Sequence, residues 1–469
     1  MTSSKTGQVL IWAVLVFMCL FYSLFTMSSS LTSEETINYI VILVCFLLSA
    51  IVFLITAINN NLQLFEPISI ATAIYFFMFV YYPLRDINIG TEFFFTQNFT
   101  GGTIKATVIF AASYIAMLSG YYCRKRYHYP ADEQCIFRPN ARTSRKYMNV
   151  SIIMWSIGLV ANLIYIMSSG KNLIYILTLG MGGAKSSELT SSSPLGFVGM
   201  FGYLMIGSLL YIMEICKSKI LKSILFLLTL DMFLVRGFRF VVVVILIAPV
   251  IYYYVNNKKK PKLISVCFLV VILLIMITLL GSFRNDIRSG TSNTKLASIT
   301  IETVEEALYE NFGQYRAFYI MVDQIPKNYS YTYGVKTFIN PLIMFIPRMI
   351  WEGKTFLGTE SGYFLSQEAI SAGSAYCNIG EFYMDFGAIG CIIAMFFEGY
   401  IFAWTKKWIN GKNISVHGLI AYSIFTPLVL QIIIRGYMAS NFNLVLFSLL
   451  PVFICSHIHP ESNENDISA

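Results

Sequence analysis

LISVCFLVVILLIMITLL, Leu263–Leu280, runs for eighteen residues without a charge and stops at GSFRNDIR, Gly281–Arg288. An apolar run of that length crosses a hydrocarbon core of ~30 Å as a helix. The two arginines that follow, one turn apart, mark where it leaves the lipid. Working outward, the same pattern recurs along the chain. The runs are 9–27, 38–58, 66–84, 104–123, 148–168, 195–215, 220–235, 239–255, 263–281, 382–404, 415–434 and 442–457. Of the 469 residues, 56% are hydrophobic and 12% charged, with mean hydropathy +0.65. A soluble chain carries about a quarter charged residues. The expectation is an all-α polytopic integral membrane protein of about twelve transmembrane helices. The first run is full length and lacks a small-residue cleavage site, so it reads as a span rather than a signal peptide.

Basic residues give the orientation. Lys5, the 124–146 segment, Lys217–Lys222, Lys258–Lys262 and Lys406–Lys412 hold eighteen Lys and Arg on one side. Arg85, Lys105, Lys171, Lys185, Arg236, Arg239 and Arg435 make seven on the other. The positive-inside rule places both termini in the cytoplasm. The net charge of +8 is therefore a topology signal, and nucleic acid is not an expected partner. The chain divides into spans one to nine (1–281), one long extracytoplasmic loop (282–381), and spans ten to twelve with a cytoplasmic tail (382–469). The other outward loops are short, and one long loop among short ones is where function concentrates.

Several residues of that outward layer can carry chemistry. Arg236 and Arg239 flank a hairpin with Asp231 one turn deeper. They either reach the headgroups and pair with Asp231, or clamp an anionic headgroup through the planar guanidinium fork. Arg284 and Arg288 share a helix face, and either pair with nearby acids or serve the same anion. Residues 301–324 read as one amphipathic helix, with Ile301, Val304, Leu308 and Phe312 opposite a glutamate stripe. Glu310, Tyr315 and Arg316 stand out near its end. Phe345-Ile-Pro-Arg348, with Trp351 and Lys354, reads as an interfacial element that either anchors the loop or offers a stacking surface and a phosphate partner. Glu381, Tyr383 and Asp385 open span ten. The two acids, at i and i+4, share a face, and Glu381, coming first, is expected nearest the outer boundary.

All four histidines (His128, His417, His457, His459) fall at the cytoplasmic side. An outward site then has no histidine base and no histidine-rich metal centre, so a carboxylate or an unassisted hydroxyl is expected to do that work. No nucleotide-binding motif is present. No metal or cofactor is expected.

Tyr333-Gly-Val-Lys336, Phe345–Lys354 and Gly380-Glu-Phe-Tyr-Met-Asp-Phe-Gly-Ala-Ile-Gly390, with Arg236-Gly-Phe-Arg239 in a mid-chain hairpin, resemble the bacterial O-antigen (Wzy-type oligosaccharide repeat unit) polymerase family. The resemblance implies a metal-independent glycosyltransferase of the bacterial inner membrane, active on its periplasmic face. Its donor would be a glycan on undecaprenyl diphosphate and its acceptor a second lipid-linked repeat unit. Membrane lipids and a chain-length regulator protein are the other implied partners. In that frame Arg236, Arg239, Arg284, Arg288, Arg348, Lys354, Arg435, Trp351 and Tyr383 are candidates for binding the substrate and its diphosphate, with Trp351 a stacking surface for a sugar ring. Glu381, Asp385 and Glu310 are candidates for the base. A lipid-linked oligosaccharide flippase and an O-antigen ligase are the competing classes. The flippase would want polar groups through the membrane depth, and the ligase an outward histidine.

Overall fold

A computed structural model describes residues 32–60, 65–94, 97–123, 135–167, 196–236, 238–258, 275, 301–346, 350–351 and 376–458. The expected spans 9–27 and 263–281 lie outside the described residues, apart from Ile275. Eight described helices are long and apolar enough to cross a membrane, and Phe240–Asn256 is a shorter apolar helix. The chain is an all-α polytopic membrane protein.

Helix α1 (Ser33–Asn60) starts at a capping box in which Thr32 N and Oγ1 both donate to Glu35 Oε2 at 2.7 Å. Its residues Ile37, Ile40, Val44, Leu48, Ile51 and Ile55 are exposed. Spaced by three and four, they form one stripe, the face a helix turns to lipid. Helix α2 (Pro67–Ile89) contains one π-helical turn, Phe77–Tyr81, and stops at Gly90 in the left-handed conformation. Helices α3 (Thr103–Cys123), α4 (Ala141–Met167), α5 (Leu204–Ile215, entered through the 3-10 segment Gly196–Tyr203), α6 (Lys219–Val235) and α7 (Arg239–Asn256) follow.

The loop side carries α8 (Ile301–Phe312) and α9 (Tyr315–Gln324), then a π-helical turn Val335–Ile339. The single helix expected over 301–324 is thus two, parted at Gly313-Gln314. The reason is a buried charge pair. Arg316 Nε and Nη2 reach Asp86 Oδ2 and Oδ1 at 2.6 and 2.7 Å, and Tyr309 and Tyr315 donate to the same carboxylate. With its charge met at the end of α2, Arg316 lets Tyr315–Val322 sink wholly into the bundle, while α8 keeps Glu302 and Glu306 exposed. Glu305 pairs with Arg85 at 3.0 Å.

The last three helices are α10 (Asn378–Thr405), α11 (Val416–Ile434) and α12 (Met438–Ser456). Without a hydrophobic drive between helices in lipid, close approach at small residues does the packing. A Cβ on Gly399 would lie 1.9 Å from the Met117 carbonyl, and one on Gly120 would lie 2.0 Å from that of Phe396, so α10 and α3 touch backbone to backbone. One core gathers α2, α3, α9 and α10, the other α4 to α7 and α12, and α11 contributes to both. At the far end from α8 and α9, β1 (Cys135–Phe137) pairs in parallel with β2 (Asn413–Ser415). There Lys406 and Tyr121 both engage the buried Glu66.

Candidate functional site on a folded-back half-helix

Asn378 Nδ2 donates to Glu398 Oε2 at 2.7 Å. In a straight helix residues twenty apart would stand ~30 Å from each other. Helix α10 is therefore a hairpin of two helices, 378–386 and 388–405, lying side by side. Cys391 Sγ to the Ile379 carbonyl, 3.5 Å, is a second contact across the pair. The hinge is Gly387, at φ 65° and ψ −156°, a region of backbone space that in practice only glycine occupies. A Cβ there would also lie 2.9 Å from the Tyr331 hydroxyl.

This geometry reverses the expected order of the two acids. Asp385 sits beside the hinge, and Glu381 lies a further turn from it, toward Asn378 and the interior of the bundle. Both are fully buried, and each is held differently. Thr332 and Tyr333 N–H groups cap the end of the half-helix at the Met384 and Asp385 carbonyls, 2.9 and 3.1 Å. In return the Asp385 carboxylate accepts from the Lys336 and Thr337 N–H groups, at 3.2 and 2.7 Å, and from the Thr332 hydroxyl. The Tyr333–Lys336 and Gly380–Gly390 motifs, far apart in sequence, are locked together by these bonds. Asp385 is a structural clamp.

Glu381 is only half engaged. Its Oε2 accepts from Met438 N, the first N–H of α12, at 2.6 Å, whereas its buried Oε1 has no partner among the described residues. The turn between α11 and α12 is pressed against the start of the half-helix. Gly436 N donates to the Tyr376 carbonyl at 2.8 Å, and a Cβ on Gly436 would meet the Cys377 carbonyl carbon at 2.3 Å. Lys336, 6% exposed, completes the cluster. Burial pushes its ammonium below the ordinary lysine range, and the charges of Glu381 and Asp385 push it back. Among the described residues no carboxylate lies within salt-bridge distance of it. Thr337 Oγ1 is likewise buried without a partner. Burial pushes the Tyr376 hydroxyl well above its usual value, and Glu381 acts in the same direction.

The other sequence candidates fall elsewhere. Tyr383 lies on the opposite face of the half-helix, its hydroxyl donating to the Ile325 carbonyl at 3.1 Å. Arg236 is buried in an aromatic box, 4.5 Å over Tyr165 and 4.5 Å over Phe238, and donates to Asn162 and to the Gly199 carbonyl. Among the described residues Arg236 makes no pair with Asp231, and the alternative of a pair with Arg239 falls on a side chain outside them. Arg435 closes α11 and lies 5.6 Å over Phe240. Trp351 is 39% exposed. Arg239 opens α7 and Glu310 lies in α8, but their side chains lie outside the described residues, as do Arg284, Arg288, Arg348 and Lys354. Lys336 and Thr337 were not singled out in the sequence. The only signal was that Lys336 closes a motif that makes up part of the family resemblance.

A multi-pass membrane helix bundle with a buried carboxylate–ammonium cluster on a folded-back half-helix is the class this structure defines. The family model described as O-antigen polysaccharide polymerase Wzy matches residues 9–459, nearly the whole chain, and the chain belongs to that family. It is a glycosyltransferase-like polymerase that joins lipid-linked oligosaccharide repeat units into O-antigen. No curated protein and no solved structure matches the chain.

Proposed function

We propose that the Glu381 carboxylate receives the proton of the attacking sugar hydroxyl during repeat-unit polymerisation. The donor is a glycan on undecaprenyl diphosphate, and the site opens on the periplasmic face of the inner membrane. The acceptor oxygen forms the new bond to the donor's anomeric carbon. The bond from that carbon to the diphosphate oxygen breaks, its electron pair leaves with the diphosphate, and the hydroxyl proton passes to Glu381 Oε1. In this reading no metal takes part. Arg239, Arg284, Arg288, Arg348, Lys354 and Arg435 are the cations available to meet the leaving charge. A chain-length regulator is a further partner in this scheme. Flipping and ligation are not favoured by the family match.

The observation that carries the proposal is the fully buried Glu381 Oε1, without a partner among the described residues. A desolvated carboxylate with one oxygen fixed and the other open is suited to general-base work, worth typically ~10²–10⁴ in rate. The test is the length distribution of the glycan made by Glu381→Gln at matched expression. Accumulated single repeat units support it. A wild-type ladder rejects it.

A further inference from the structure

We propose that Lys336 and Thr337, with Glu381 Oε1, form the subsite that holds the acceptor's sugar hydroxyls, and that the diphosphate binds elsewhere. The inference rests on the reading of Glu381 given above and adds the chemistry of what lies beside it. Glu381 Oε1 and Thr337 Oγ1 are buried without a hydrogen-bond partner among the described residues, and the buried Lys336 ammonium, within electrostatic reach of Glu381 and Asp385, has no carboxylate at salt-bridge distance there. Buried polar groups are paired in nearly all native structures, so unpaired groups on the half-helix and on the turn bound to it point to a ligand. Backbone bonds from Lys336 and Thr337 to Asp385 fix the turn that carries both side chains, so the arrangement is rigid before anything binds.

Charge decides what that ligand is. Two buried carboxylates, Glu381 and Asp385, stand against one ammonium. A diphosphate entering here would add negative charge to a surplus of it. A sugar hydroxyl is neutral and both donates and accepts, which is what a carboxylate oxygen on one side and an ammonium on the other require. The ammonium's three donors reach more than one hydroxyl, and Thr337 Oγ1 serves as a further donor or acceptor. Neighbouring hydroxyls on one sugar ring therefore suit the site. The nearby cation Arg435 lies over Phe240. In this scheme Lys336 positions the acceptor, and the proton goes to Glu381.

The experiment uses purified full-length protein in nanodiscs and two probes. The first is undecaprenyl diphosphate, titrated by tryptophan fluorescence. The second is the lipid-linked repeat unit extracted from cells lacking the polymerase, with dimer formation followed against its concentration. Lys336→Met is expected to bind undecaprenyl diphosphate as wild type does, and to need roughly 10- to 100-fold more repeat unit for half-maximal rate, the loss of a charged hydrogen bond. Thr337→Val should shift the same curve in the same direction by a smaller factor, and serves where Lys336→Met does not fold. Weakened undecaprenyl diphosphate binding in either folded variant overturns the proposal, as does an unshifted repeat-unit curve. Glu381→Gln separates the two readings, because loss of a base lowers the maximal rate, whereas loss of a subsite contact moves the half-saturation point. A normal rate in Glu381→Gln beside a shifted curve in Lys336→Met would end the base reading and keep the subsite.

Discussion

Asn378 and Glu398 lie on the two arms of the α10 hairpin, twenty residues apart, and are joined by a 2.7 Å hydrogen bond. That bond closes the hairpin that carries Glu381 and Asp385 inside the bundle instead of leaving them at a helix mouth. Tyr75 holds the same asparagine, its hydroxyl donating to Asn378 Oδ1 at 2.9 Å, so α2 anchors the half-helix as well.

The hinge is the first point to test. Gly387→Ala places a Cβ in backbone space closed to alanine and within 2.9 Å of the Tyr331 hydroxyl. A cost of about 1–3 kcal/mol or more is expected, read as a lower thermal midpoint of the purified protein and a short glycan ladder. A midpoint equal to wild type would mean that the hairpin does not depend on this residue.

Asp86 and Arg316 are both buried, and removing either leaves the other's charge uncompensated. Asp86→Ala and Arg316→Ala should each destabilise by ~3–5 kcal/mol. The double variant should lose clearly less than the two together. Thermal unfolding of the four proteins measures this. Additive losses would show that the pair is not what docks α8 and α9 onto α2.

Arg236 is fixed by Asn162, Gly199 and the rings around it. Arg236→Lys loses the planar guanidinium that stacks there, and is expected to lower yield and thermal midpoint. Arg239→Lys and Arg348→Lys, whose role is proposed to be with diphosphate, should express normally and polymerise poorly. Normal yield with defective chains in Arg236→Lys would return that residue to the substrate side.

Much of this fold could be read from the chain. Uninterrupted apolar runs announce spans because a helix must satisfy its own backbone in lipid, and most of the described helices match them. The hinge could not be read. Gly380, Gly387, Gly390 and Gly399 look alike in sequence, and only one has the φ that breaks the helix. The two acids were visible as an i, i+4 pair, but their depth was inverted because the hairpin was unseen. Asp86 stood at a span end, where a charge is ordinary. Lys336 stood in a loop, where a lysine is ordinary too. Their partners lie some 45 to 230 residues away, beyond any local pattern.

The distribution of basic residues predicts an orientation that can be tested. With native cysteines removed, Ser330→Cys, on the α8–α9 side, should react with an impermeant reagent added outside. Lys412→Cys, beside the far-end strand pair, should stay protected until the membrane is opened. The reverse pattern would turn the protein over.

The most direct measurement is single-turnover joining of two lipid-linked repeat units by purified wild type, Glu381→Gln and Asp385→Asn, each shown to be folded by its thermal midpoint. The account predicts that Glu381→Gln folds and binds its substrate but joins units ~10²- to 10⁴-fold more slowly. Asp385→Asn should lose stability first, because its carboxylate holds the Thr332–Thr337 turn. Glu381→Gln turning over at the wild-type rate would contradict the central claim, and would leave the hydroxyl to attack without help from this carboxylate.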